Sequence, residues 1–372
     1  MAKRGVKVLK GDEKKEKRED MWLAQIGQRE NHRYASDNSE SSLLIHQLGR
    51  DISINCLLRC SRSYYGIIAT LNTGFHSLIR SGELYKLRRQ MGIVEHWVYF
   101  SCNLLEWEAF DPIHRRWMHM PKMQAYECFM YSDKESLAVG TQLLVSGKEI
   151  MYPIVYKYCI LTHTWATEMR MHTPRCLFAS SSLGEIGFIA GGCDLRGNIL
   201  SSAELYNSET GRRMCFAVFM EGKFYVIGGI GVESLKTITS VEVYDLKTKT
   251  WSEIHNMYPA RNEEAGPTEE PLTAEAPPLV AVVNDVLYIA DHVLKQVKKY
   301  DKEKNLWVTV GPFPERTTSI NGWGIAFRAY GDQLMIIGGP RVLVPNEGPL
   351  EWNLVARKPS SSFVYNCAVM GC

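Results

Sequence analysis

Ten cysteines and ten histidines are the residues of this 372-residue chain best suited to hold a metal ion or serve as nucleophile and base. Their spacing argues against both uses. Zinc sites draw thiolates from C-x-x-C pairs and imidazoles from tight clusters, and neither pattern occurs. His114 and His119 stand five apart, which does not suit two ligands in one strand-turn unit. H-E-x-x-H and G-x-S-x-G, the helix-borne zinc site and the nucleophile elbow, are missing as well. "GGIGVES" at 228–234 carries the glycines of a dinucleotide loop, but that loop must open a helix, and the residues after it read as another strand. No cofactor, metal or catalytic residue is expected. The cysteines read as reduced, buried, small apolar side chains of an intracellular protein.

The residues that do recur at fixed spacing are aromatic. "FDPIHRRW" ends at Trp117, "YCILTHTW" at Trp165, "YDLKTKTW" at Trp251 and "YDKEKNLW" at Trp307, so an aromatic residue precedes each tryptophan by seven positions. Tyr244 opens the third of these. A second token is a hydrophobic strand ending in paired glycines: Gly191-Gly192, Gly228-Gly229 and Gly338-Gly339, with Gly147-Lys148 and Ala290-Asp291 as degenerate copies. Once the proline- and glutamate-rich insertion near 259–278 is set aside, these ends repeat every 40 to 48 residues or so, the period of a four-stranded propeller blade. Paired glycines let the backbone take positive φ or approach a neighbour closely. The tyrosine and tryptophan bring large apolar faces into the gaps between blades while their polar atoms reach backbone groups. On that reading Trp251→Ala costs about 3–5 kcal/mol if the ring is buried.

The chain as a whole is ordinary for a soluble protein: 45% hydrophobic, 23% charged, with a formal net charge of +2. That charge is too small to draw nucleic acid or a membrane surface. No stretch approaches 18 apolar residues, no signal-peptide core opens the chain and no N-x-[ST] acceptor occurs, so a nuclear or cytoplasmic address is expected. Residues 1–40 are dense in mixed charge and read as a disordered arm. "KKEKR" within it could serve nuclear import or simply be a solvated charged tail.

Residues 41–92 switch to helical spacing. Tyr64, Ile67, Ile68, Leu71, Phe75, Leu78 and Ile79 recur at steps of three and four, an apolar stripe expected to break into two helices near Gly74. A shorter helix before it carries Ile52, Leu57 and Leu58, and Ser81 is expected to cap another after it. About fifty residues of short helices bury themselves poorly and need a partner or a docked neighbour.

From 93 to 372 the reading is a six-bladed propeller with blades centred on Trp117, Trp165, residues 206–213, Trp251, Trp307 and Trp352. The first blade lacks its innermost strand, and residues 363–372 are expected to return and supply it. In the third blade Arg213 stands where tryptophan is expected and about ten residues are missing relative to the other repeats. Its outermost strand and Pro-Arg loop are expected to be absent, and its local stability to be lower than its neighbours'.

The strand, Gly-Gly, Tyr-x6-Trp, Pro-Arg order ("TPR" at 173–175, "PAR" at 259–261, "PER" at 314–316) resembles the kelch repeat. "DISINCLLRCSRSYYGIIATLNTGFHSLIRSGELYKLRRQ" followed at once by such units, together with "EHWVYFSCNLLEWEAFDP", "SLGEIGFIAGGCDLRGNILSSAELYNSETG" and "FVYNCAVMGC", is similar to the plant F-box/kelch-repeat family from about residue 45 onward. The resemblance implies a mostly β fold, a six-bladed kelch propeller preceded by a small helical F-box-like module. It also implies a non-catalytic subunit of an SCF-type ubiquitin ligase. The helices would dock on a Skp1-type adaptor of a cullin complex, and the propeller would hold a substrate protein. By that analogy adaptor contacts come from Ile52, Ile54, Leu57 and Leu58, then Ile67, Ile68 and Leu71, each of which is also an ordinary core candidate. Gly49-Arg50 stand where the family carries Leu-Pro. Arg175, Arg196, Arg261 and Arg316 are candidates for the substrate face, the alternative for the Pro-Arg arginines being an inter-blade salt bridge or carbonyl contact. A kelch scaffold with no role in ubiquitination, and a propeller enzyme, are the competing readings.

Overall fold

The computed structural model describes residues 44–45, 48–101, 106–125, 129, 135–149, 153–169, 171–176, 178–194, 196–200, 202–208, 218–220, 222–227, 239–245, 248, 250–257, 279–314, 322–339, 341–345, 350–357 and 363–372. The charged arm expected over 1–40 lies outside them, as do Gly228, Gly229, Arg213, Arg261 and Arg316.

Among the described residues four short α-helices come first: α1 (Arg50–Leu58), α2 (Tyr65–Ala69), α3 (Thr73–Arg80) and α4 (Glu83–Gln90). The stripe expected to break near Gly74 breaks earlier, at 70–72, because the Asn72 side chain accepts the Phe75 N–H at 2.8 Å and starts α3 at Thr73. Gly74 sits inside that helix. Ser81 Oγ accepts the Glu83 N–H at 3.3 Å at the start of α4, while Gly82, at φ +78°, turns the chain. α1 starts at Gly49 without a side-chain cap, and Asp51 in its first turn favours the helix dipole instead.

The rest is a ring of six sheets. Blade one contains β1 (His96–Ser101), β2 (Trp107–Asp111) and β3 (Arg116–His119); blade two, β4 (Glu135–Val139), β5 (Gln142–Lys148), β6 (Pro153–Cys159) and β7 (Thr164–Met169). Blade three has β8 (Ala179–Leu183), β9 (Ile186–Ala190) and β10 (Ala203–Asn207), three strands among the described residues. Blade four has β11 (Val218–Met220), β12 (Lys223–Ile227), β13 (Val241–Asp245) and β14 (Thr250–Ile254). Blade five has β15 (Val280–Val283), β16 (Val286–Asp291), β17 (Gln296–Asp301) and β18 (Leu306–Pro312). Blade six has β19 (Ile325–Tyr330), β20 (Gln333–Gly338), β21 (Arg341–Pro345) and β22 (Trp352–Arg357). The last strand, β23 (Asn366–Gly371), pairs antiparallel with β1 from His96↔Gly371 to Ser101↔Asn366 and is the innermost strand of blade one. Inner strands β23, β4 and β8, then β15 and β19, line a central cavity of about 430 Å³.

The recurring aromatic octapeptides are cross-strand pairs. Phe110↔Trp117, Tyr158↔Trp165, Tyr244↔Trp251 and Tyr300↔Trp307 stand directly opposite in register. The turn between them is built by side chains. At the second position Asp111 Oδ1 accepts the N–H groups of Ile113 and His114, and Asp301 Oδ1 those of Glu303 and Lys304. At the sixth position Arg115, His163 and Asn305 all take positive φ. In two of the copies that open with tyrosine the sixth residue is its partner: Tyr158 Oη lies 2.7 Å from His163 Nδ1, and Tyr300 donates to Asn305 Oδ1 at 2.7 Å.

Three of the tryptophans bond to the preceding blade. Trp165 Nε1 donates to Pro121 O at 2.8 Å, Trp307 Nε1 to Met257 O at 2.6 Å and Trp352 Nε1 to Pro312 O at 2.9 Å, in each case at or just past the end of the outer strand of the blade before. Trp117 packs against the apolar cluster of blade six, with Met335, Ile337 and Val342. Trp251 departs from the expectation of burial, being 45% exposed.

Two measurements check this arrangement. Trp307→Ala is expected to cost at least about twice the unfolding free energy that Trp251→Ala costs, because only the former opens a cavity between blades; denaturant titration reads the difference. Burial drops the His163 imidazole to about 4 from 6.5, so the folded chain keeps it neutral while the unfolded chain takes up a proton below about 6.5. Its stabilising contribution is therefore present above pH 6.5 and lost as pH falls toward 4. His163→Asn, which keeps an acceptor and tolerates the left-handed turn, is expected to flatten that part of the melting-temperature profile.

Candidate protein-docking site

The helices lie against blades one and two and share their core. Ile54, Leu57, Leu58, Tyr65, Phe75, Leu78, Leu84 and Tyr85 are buried in one cluster with Trp97, Tyr99 and Trp107 of blade one, Tyr156 and Tyr158 of blade two, and Ala368, Met370 and Cys372 of the C-terminal strand. Leu161, in the blade-two octapeptide, packs so closely under Gly82 that a Cβ there would come within 3.0 Å of it.

A buried polar hub fastens this junction. Arg88 is almost fully buried, and its Nη1 donates to Leu58 O at 3.2 Å, Cys60 O at 2.8 Å and Tyr65 Oη at 3.3 Å. Its Nη2 meets Glu95 Oε1 at 2.6 Å. The Glu95 carboxylate also accepts the Arg62 N–H and the Ser61 hydroxyl, at 3.1 Å and 3.0 Å. Glu95 N donates to Cys372 O at 2.9 Å, and Cys372 N to Glu95 O at 3.1 Å. One residue thus holds the helices with its side chain and the closing strand with its backbone. Arg62, buried beside it, stacks its guanidinium 4.4 Å from the Trp97 ring centre, while its Nε and Nη2 make no hydrogen bond. Burial pushes the Tyr99 hydroxyl up to about 12, so it stays a neutral neighbour of that charge. An ion pair between Arg89 and Glu185 carries the helices' contact to the β8–β9 hairpin of blade three.

The seven apolar residues singled out from the sequence divide into two groups. Ile54, Leu57 and Leu58 are inside the shared core, and Ile68 is half-buried against it, so their first role is to hold the helices to the propeller. Ile52, expected on the same helix as Leu57 and Leu58, points outward and is 54% exposed; Ser53 takes the inner position, its hydroxyl donating to Gly49 O. Ile67 and Leu71 are 55% and 66% exposed and lie four residues apart on the outer side of α2 and its last turn. Tyr64 precedes them on that side, with the Arg116 guanidinium 5.1 Å from its ring centre. The outward faces of α3 and α4 carry Ser77, Arg80, Lys86 and Gln90 instead.

The arginines also divide. Arg175 is fully buried, and as a substrate contact it is excluded from this surface. It donates to Thr173 O at 3.2 Å, Gly191 O at 3.0 Å, Ser202 O, Ser202 Oγ at 3.0 Å and Glu204 Oε1 at 3.4 Å, binding the blade-three loop to its own strands. Glu204 accepts the His172 and Thr173 N–H groups as well. Arg196 is exposed, on a turn where Asp194 accepts the Arg196 and Asn198 N–H groups. Of the two spaced histidines, His114 meets Asp111 at 2.7 Å and His119 lies 3.8 Å from Glu108. Among the described residues no three His, Cys, Asp or Glu side chains are grouped to hold a metal.

The hub escaped the sequence reading. Arg88 and Glu95 look like ordinary surface charges on a helix and a linker, and only the return of the C-terminal strand encloses them.

Comparison with known proteins agrees with this architecture. A family model described as the Kelch motif matches residues 211–258. The F-box/kelch-repeat protein At1g26930 of Arabidopsis thaliana is 52% identical over 359 residues, covering 90% of this chain and 85% of the relative. At1g74510, of the same description and organism, is 53% identical, covering 90% and 80%. F-box/kelch-repeat protein SKIP11, also of Arabidopsis thaliana, is 52% identical, covering 90% and 77%.

Glu95→Ala leaves the Arg88 guanidinium buried without its carboxylate, and the expected cost is about 3–5 kcal/mol of unfolding free energy. Arg88→Met combined with Glu95→Gln removes both charges together and is expected to recover a large part of that loss in the same denaturant titration.

Proposed function

The chain belongs to the F-box/kelch-repeat family, and from that membership we propose that it is the substrate-recognition subunit of an SCF-type ubiquitin ligase. The helices dock on a Skp1-type adaptor joined to a cullin, the propeller holds the substrate protein, and the chain itself catalyses no step. The observation that carries docking is the outward apolar set Ile52, Ile67 and Leu71, on helices whose inner faces are already occupied by the propeller. Covering each of them with a partner is worth about 1.5–3 kcal/mol. Ile54, Leu57, Leu58 and Ile68 support this surface from beneath.

Substrate recognition is assigned to the loops at the rim of the ring, where Arg196 is exposed and backbone regularity relaxes. Rigid blades present such loops at fixed spacing without committing the strands to chemistry. Gly49-Arg50, in place of Leu-Pro, put more of the adaptor affinity on the exposed aliphatic side chains.

Ile67→Asp with Leu71→Asp in the full chain is expected to lower binding of a purified Skp1-type adaptor at least about tenfold, that is, by about 1.4 kcal/mol or more, with the thermal midpoint unchanged. An intact chain that captures no adaptor, or a double variant that binds as well as the wild type, would sink this reading.

A further inference from the structure

Cys176 and Cys193 take no part in the docking surface or the polar hub. Cys176 follows the buried Arg175, and Cys193 follows Gly191-Gly192 at the end of β9. Their backbones exchange both hydrogen bonds of an antiparallel bridge, Cys176 N to Cys193 O at 3.0 Å and Cys193 N to Cys176 O at 2.9 Å. Residues facing each other in this way have Cα atoms about 5.5 Å apart, within the span that a disulfide bridges. The two sulfurs are 3.5 Å apart, and both side chains are partly exposed.

The same position makes such a bond easy to break. In a hydrogen-bonded cross-strand pair the Cβ atoms stand toward the wide end of the 4.5–5.5 Å range, whereas a relaxed disulfide draws them to about 3.8 Å. The backbone has little room to yield. A Cβ on Gly192 would already lie 2.4 Å from Cys176 O, and Arg175 clamps the neighbouring carbonyls of Gly191 and Ser202. Strain of this kind raises the reduction potential of a disulfide. Cys193 also bridges Ile199, so the bond would tie down the turn that presents Arg196 at the rim.

We propose that Cys176 and Cys193 form a reversible thiol–disulfide couple that fastens the 194–198 turn to the loop leading into blade three. The oxidant class is a peroxide. One thiolate attacks the O–O bond, which breaks; the sulfur gives up two electrons and becomes a sulfenic acid, and the released hydroxide takes a proton to become water. The second thiol then attacks the sulfenyl sulfur, the S–S bond forms, the S–OH bond breaks and a second water leaves. A dithiol reductant of the thioredoxin class reverses the change by exchange and ends as the disulfide itself. This couple does not depend on the docking reading.

Arg175 and Arg196 bound a single tryptic peptide that holds both cysteines, with Glu185 between them. After the purified full chain is treated with hydrogen peroxide and alkylated, the oxidised peptide is expected to carry no alkyl group and to be two hydrogens lighter. Further cleavage after Glu185 should yield two pieces that separate only on reduction. A glutathione buffer that leaves a secreted protein's structural disulfide intact is expected to reduce this one at least tenfold further. The proposal is overturned if both cysteines are still fully alkylated under peroxide that oxidises the exposed Cys56. It is overturned equally if the bond resists glutathione as well as the structural control does.

Discussion

Glu95 is the point on which two different closures depend. Its carboxylate satisfies Arg88 and the backbone at Arg62, which fastens the helices, and its own N–H and C=O pair with Cys372, which begins the seam between β1 and β23. A carboxylate in so enclosed a place is tolerable only with several donors aimed at it. The guanidinium it faces has none of its charge left to water and reaches three further oxygens. Because this pair needs both the helical segment and the last strand in place, the ring and the helices form one cooperative unit rather than a bead beside a disc.

Around the ring a different principle operates. Neighbouring blades meet through apolar faces, which by themselves have no preferred register, so the direction comes from single hydrogen bonds. The indole N–H of Trp165, Trp307 and Trp352 each finds the carbonyl at the exit of the blade before. A tryptophan combines a large hydrophobic area with one donor at its edge, which suits a contact that must be both adhesive and directional. The octapeptide turns are organised by Asp111 before Trp117 and Asp301 before Trp307, and by positive φ at Arg115, His163 and Asn305.

How far the sequence could be read follows from the range of each interaction. The octapeptides and glycine pairs are local and repeated, so the blade frame and the helical segment were visible before any coordinates, while residues 209–217, where blade three was expected to lose its outer strand, lie outside the described residues. Helix boundaries were less so: Asn72 outcompeted Gly74 because a side-chain cap on the Phe75 N–H stabilises a start more than glycine's flexibility marks a stop. Burial of the Arg88–Glu95 pair was not legible. For Arg175 a salt bridge or carbonyl contact stood as the alternative to the substrate face, and the carbonyls of Gly191 and Ser202 with the Glu204 carboxylate, far along the chain, supply such contacts within blade three itself. Which residues of the first helix face the propeller was not legible either: Ile52 points outward while Ser53 turns inward to bond Gly49 O.

The shared core has a bearing on biosynthesis. Ala368, Met370 and Cys372 complete the cluster that holds Ile54 and Leu57, so helices synthesised early wait for a strand synthesised far later. Until the final strand arrives, the inner faces of the helices and the open flank of blade one are wet apolar surface, and the pairing that covers them spans nearly the whole described chain. Contacts of such sequence separation form slowly and leave unfinished edges open to aggregation. A nascent chain of this design has reason to lean on a chaperone until Asn366–Gly371 are free to pair with β1.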